Sequence, residues 1–187
     1  LIGAALMMML AMGMRQSLSL FLPPLGRDIG TTTADFTFAV AIQNLFWGLT
    51  QAPVGMIADK FGLRIAMMLG SATYAAGLLV MAFAVGPASL TASGALIGVA
   101  LSCTASSLAM TASARAVPEN KRSVMLGVVA AASSLGTLLI APLLQAILST
   151  HHWRAGMVLF LALAVCMLPS AFCAGGADKL PRPVRDD

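Results

Sequence analysis

Arg15 is the one charged residue that falls well inside a long apolar run of this 187-residue chain. An arginine near the centre of a membrane helix costs about 2.5–3.5 kcal/mol on insertion scales, so its head must face protein or water. A guanidinium forks onto a carboxylate with two parallel N–H donors, which makes Arg15 suited to holding an anion. The competing reading is an arginine that bonds backbone carbonyls or sits nearer the interface.

Other polar residues recur at helical spacing within apolar runs. Ser19 follows Arg15 by four positions, and Gln43, Trp47 and Gln51 repeat every four, with Asn44 adjacent. Ser134, Thr137 and Gln145 fall near one stripe with Ala141. We expect Arg15, Ser19, Gln43, Asn44, Trp47, Gln51, Ser134 and Thr137 to line a cavity. The alternative is interhelical adhesion, for which such residues contribute only about 0.6 kcal/mol each. Ser102, Ser106 and Ser113 suit adhesion, and Gly94 with Gly98 suits close helix packing. No Asp or Glu lies within an apolar run, so a membrane-embedded proton site is not expected here. His151 and His152 fall in a loop and read as solvated. Cys103, Cys166 and Cys173 all lie in apolar stretches and read as buried thiols, not as metal ligands or a disulfide. We expect no catalytic residue, metal or cofactor.

The elements that must carry these residues are set by composition. Hydrophobic residues make up 59% of the chain and charged ones 10%, against about 45–50% and 25% in soluble domains. That balance excludes an ordinary soluble domain, and disorder is excluded because disordered chains are poor in apolar residues. Apolar runs at about 1–25, 36–57, 64–85, 90–114, 123–149 and 154–176 each suffice to cross a bilayer as a helix. The expected fold is an all-α membrane protein with six transmembrane helices, a bundle over 1–177. Residues 178–187, charged and proline-bearing, read as the start of a cytoplasmic linker.

Charge orients the bundle. Lys60, Arg64, Arg115, Lys121, Arg122, Lys179, Arg182 and Arg185 fall on one side, and only Arg27 and Arg154 on the other. The positive-inside rule puts the first group, and both chain ends, in the cytoplasm. The expected location is the bacterial cytoplasmic membrane, multi-pass, with the lipid bilayer as a partner. Nucleic acid is not expected, because no basic cluster with interleaved aromatics is present.

A faint repeat adds topology. Ala52-Pro53 is echoed by Ala141-Pro142, and Arg64-Ile-Ala-Met-Met-Leu by Arg154-Ala-Gly-Met-Val-Leu. An odd number of crossings separates the matched spans, so the copies are inverted, as in the three-plus-three repeats of secondary transporters.

The most specific pattern is Gly55-Met-Ile-Ala-Asp59-Lys60-Phe61-Gly62-Leu63-Arg64. Asp59 ends one helix and Arg64 opens the next, with Gly62 free to take a positive φ in the turn. Gly55 lies on the Asp59 face and would admit a close neighbour. This segment resembles the loop signature of the major facilitator superfamily, and Gly55, Asp59, Lys60, Gly62 and Arg64 meet each of its fixed positions. Arg115-Ala-Val-Pro118-Glu119 through Arg122 is similar to the same superfamily's loop between spans four and five, and Trp153-Arg154 to its start of span six.

Within the superfamily, Arg15 through Pro24 and Ser133-Ser134-Leu-Gly136 with Pro142 look like the monocarboxylate-transporter-like and oxalate/formate-antiporter-like branch. The resemblance implies the N-terminal half of a twelve-helix secondary transporter that moves a small solute, a monocarboxylate or other organic anion, by alternating access. Its partners would be that solute and an absent C-terminal six-helix half. Asp59 would then gate the cytoplasmic side, with Arg115 and Arg122 as partners. A self-standing six-helix scaffold or homodimeric pore is the alternative, tested by reading past Asp187 for six more spans. A rhomboid-type protease fits poorly, since neither Ser102 nor Ser106 is flanked by glycines and both histidines lie in a loop.

Overall fold

The computed structural model describes residues 2–104, 108, 110 and 119–174. Arg115 and the expected linker lie outside these residues. Six long helical spans follow one another: span one Ile2–Ile29, span two Thr33–Phe61, span three Leu63–Ala82, span four with Pro87–Thr104 described, span five Glu119–Thr150, and span six Trp153–Ala174. Five are long and apolar enough to cross a membrane by length and composition. Span two falls short because Gln43, Asn44 and Gln51 hold its hydropathy down, yet its 29 residues reach roughly 44 Å at 1.5 Å per residue.

Local chemistry sets the span ends. Span one tightens into a 3₁₀ turn over Leu18–Phe21 before continuing through Pro23 and Pro24. The prolines cannot donate to the carbonyls of Ser19 and Leu20, and the Leu22 N–H bonds the Ser19 carbonyl instead. Gly30, at φ 67°, ends the span in the left-handed region. Thr32 and Asp35 form a capping box for span two. The Thr32 oxygen accepts from the Asp35 N–H at 3.1 Å, and the Asp35 carboxylate accepts from the Thr32 N–H at 3.0 Å. The turn into span three is a single residue, Gly62, at φ 94°, as its place in the motif predicts. Span two runs through Asp59 and Lys60 to Phe61, further than the apolar run indicated.

Packing follows the expected inverted repeat. Span one packs on spans five and six, and span four packs on spans two and three. Exchanging the first three spans with the last three maps one set of pairs onto the other, and the three–six pair onto itself. The seams are built on glycine. A Cβ at Gly94 or Gly98 of span four would strike the Ala39 or Gln43 carbonyl of span two. A Cβ at Gly136 of span five would strike the Met9 carbonyl of span one. Between helices in lipid, such close approach supplies the dispersion contacts that solvent exclusion supplies in water. By contrast, a Cβ at Gly55 meets nothing within 4 Å, so no neighbour among the described residues uses its small size. Phe21 and Phe160 are fully buried and meet edge to face at 5.3 Å.

Candidate functional site

Span one is described over 28 residues, and Arg15 lies within it, roughly 21 Å before its end at Ile29. The Arg15 Nη2 donates to Asn44 Oδ1 at 2.7 Å. The guanidinium lies over the Trp47 ring, 4.9 Å from its centroid. Asn44 and Trp47 are three residues apart, so one face of span two presents both to span one. Among the described residues no carboxylate pairs with Arg15, and its Nε is buried with no hydrogen-bond partner. The side chain as a whole is half-buried. This is a cation held in a fixed pose by neutral groups, with its charge uncompensated.

The remaining polar residues divide. Ser134 and Thr137 line a pocket of about 350 Å³ with Gln16 and Leu138, between spans one and five. Ser19, Gln145 and Arg27 line another, of about 270 Å³, further along the same seam. Gln51 is exposed on span two, and Trp47 is half-buried. Gln43 is only 3% exposed and faces span four, where it borders a cavity of about 20 Å³ beside Phe36, Ser93 and Ile97. The four-residue spacing of Gln43, Trp47 and Gln51 thus spans a buried seam and an open face. Ser102 belongs to the span two–span four seam, where it accepts from the Thr50 hydroxyl at 2.9 Å.

At the motif end, Asp59 and Lys60 are exposed on the last turn of span two. Arg64 lies 4.2 Å from the centroid of Phe172 on span six. Arg122 is half-buried near the start of span five.

Two sequence readings are corrected, the first of them at the opposite end. His152 is not simply solvated, because its Nε2 lies 2.7 Å from Asp28 Oδ2. The same oxygen accepts from Trp153 Nε1 at 2.6 Å, which ties the end of span one to the start of span six. The missed signal was Asp28 itself, a carboxylate one residue from Arg27 that pairs across 125 positions of sequence. Cys166 and Cys173 are exposed on span six, and only Cys103 is buried. Among the described residues, no group of three His, Cys, Asp or Glu is placed to hold a metal ion.

Comparison with known proteins fits this architecture. The chain is 30% identical over 155 residues to an oxalate:formate antiporter of Oxalobacter formigenes, covering 81% of this chain and 36% of that protein. Its fold matches the xylose transporter XylE from E. coli in an inward open conformation, with a TM-score of 0.72 and 16% identity. That match covers 91% of this chain and 46% of XylE, so the chain spans less than half the length of either relative. Residues 4–186 match the model of the Major Facilitator Superfamily. With a helical bundle of inverted threes and that match along nearly its whole length, this multi-pass membrane chain belongs to the Major Facilitator Superfamily.

Proposed function

We propose that the chain forms the N-terminal half of a secondary transporter that carries a small organic anion by alternating access, with Arg15 as an anion-binding residue. The observation that carries this reading is the pose of Arg15: within span one, half-exposed, fixed by Asn44 and Trp47, and with no carboxylate partner among the described residues. A half-buried guanidinium without a counter-ion is only partly solvated, and a substrate carboxylate would supply that counter-ion. The similarity to a protein named for oxalate and formate, both small carboxylates, supports the same class.

Spans two and five support a second half as the partner. Phe38, Leu45 and Leu49 on span two, and Leu135, Leu138 and Leu139 on span five, are all more than half exposed. These two spans exchange under the internal repeat, so a pseudo-symmetric second bundle would cover both. The skewed basic residues support cytoplasmic chain ends. With no carboxylate at mid-membrane in this half, any driving proton would bind in the other half. Otherwise transport proceeds by exchange or facilitated diffusion.

Asp59 and the residues around it would act at the cytoplasmic gate. Asp59→Asn is expected to slow turnover with little change in substrate binding. The decisive experiment is uptake of labelled formate, acetate and oxalate by the full-length protein in proteoliposomes. Arg15→Gln should abolish uptake of whichever is carried; uptake at an unchanged KM refutes the assignment.

A further inference from the structure

Arg15, Ser19, Pro23 and Arg27 recur every four residues along span one, and all four are half-buried or exposed. Twelve residues separate the two arginines, so Arg27 stands about 18 Å beyond Arg15 along the helix. Between them run the two pockets of the span one–span five seam. The inner one is bordered by Gln16, Ser134 and Thr137. The outer one is bordered by Ser19, Arg27 and Gln145, with the two prolines as its wall. Its volume of about 270 Å³ equals roughly nine waters at 30 Å³ each, ample for a small carboxylate and part of its hydration shell.

The charges around this outer pocket leave Arg27 cationic in effect. Asp28 follows it directly in sequence, but the Asp28 carboxylate takes up Trp153 and His152 of the span six side. Asp35 is occupied by Thr32 in the capping box. Arg154 lies over the Trp153 ring, and the His151 ring bonds Thr150. Among the described residues Arg27 has no acidic partner. The 18 Å separation exceeds the screening length of about 8–10 Å in physiological salt. At that distance one small anion cannot touch both arginines, so Arg27 would meet the substrate at a separate place.

We infer that Arg27, Ser19 and Gln145 form an outer waiting site, which collects the organic anion from the extracytoplasmic side before it reaches Arg15. The inference rests on the anion reading and the membrane orientation proposed above. A lone exposed arginine holds an anion weakly, and its effect falls on capture rate rather than on turnover.

The test uses the full-length protein in right-side-out and inside-out vesicles, with labelled formate, acetate and oxalate as probes. Arg27→Gln is expected to raise KM about tenfold from the outer side at low salt, with kcat retained and the cytoplasmic-side KM hardly moved. Arg27→Lys should restore most of the outer affinity, and added NaCl should shrink the difference between wild type and Arg27→Gln. Gln145→Ala should raise the outer KM in the same direction. An unchanged outer KM in Arg27→Gln overturns the site, as does an equal loss from both sides, which would mark a structural role. Loss in Arg27→Gln alone, with Arg15→Gln normal, keeps the waiting site and refutes the Arg15 assignment. A wild-type protein that carries none of the three anions refutes both.

Discussion

Removing Asn44 while keeping Arg15 isolates the pose of the cation from its charge. The 2.7 Å bond from Arg15 Nη2 to Asn44 Oδ1 is charge-assisted, a class worth about 1.5–3 kcal/mol. Arg15 is half-exposed, so water partly replaces the lost partner and the lower end, about 1.5 kcal/mol, applies. The Trp47 contact at 4.9 Å survives the substitution and retains about 0.5–1 kcal/mol of orientation. Asn44→Ala is therefore expected to lower kcat/KM by roughly tenfold at 1.4 kcal/mol per decade. The assay is a double-mutant cycle on the full-length transporter, with Asn44→Ala measured beside Arg15→Lys and the combined variant. Lysine keeps the charge but not the planar fork, so it preserves measurable uptake. If Asn44 acts by aiming the guanidinium, its effect should shrink in the Arg15→Lys background, with a coupling of about 1 kcal/mol. Strict additivity of the two losses would refute the reasoning, since Asn44 would then act independently of Arg15.

Four further outcomes are expected. Gly98→Ala should lower the thermal unfolding midpoint in detergent, since its Cβ would press on the Gln43 carbonyl and overpacking costs about 1–3 kcal/mol. Gly48→Ala, with open space around its Cβ, should leave that midpoint unchanged or raise it. Trp153→Phe should destabilise the bundle by about 1 kcal/mol, because it removes the indole donor to Asp28; an unchanged midpoint would count against the tie. The Thr32 hydroxyl and N–H hold the Asp35 carboxyl below its ordinary value, so the cap's contribution is present above that value. It is lost as pH falls through the lower, folded one, and Asp35→Asn should blunt this acid sensitivity in a pH series of unfolding midpoints.

Much of the fold was legible because it follows from hydropathy and charge alone. The apolar composition anticipates an all-α membrane bundle, and Gly62 marks its turn because a one-residue link between helices needs a positive φ. Span two shows the limit of that signal: the amides that make it interesting also lower its hydropathy. In the site, Arg15 stood out because an intramembrane charge is rare, but its partners did not. Asn44 and Gln43 are adjacent and chemically alike. Only the rotation of span two against its neighbours sends one to Arg15 and buries the other beside Ser93. Rotation is set by the glycine seams, and those are pairings between distant segments that periodicity within one helix does not encode. Asp28 with Trp153 was hidden for the same reason.

The pairing of Met9 with Gly136 has a consequence for how the chain is made. These residues are 127 positions apart, so at 5–20 residues per second the second leaves the ribosome roughly 6–25 s after the first. Span four closes on spans two and three much sooner, because its glycines follow directly behind them. Order of synthesis thus makes the partners of span four available before span one has its own in spans five and six. A nascent chain halted before span five would leave one flank of span one, including the Gln16 and Ser19 edge, accessible to a membrane chaperone or to misassembly with another span.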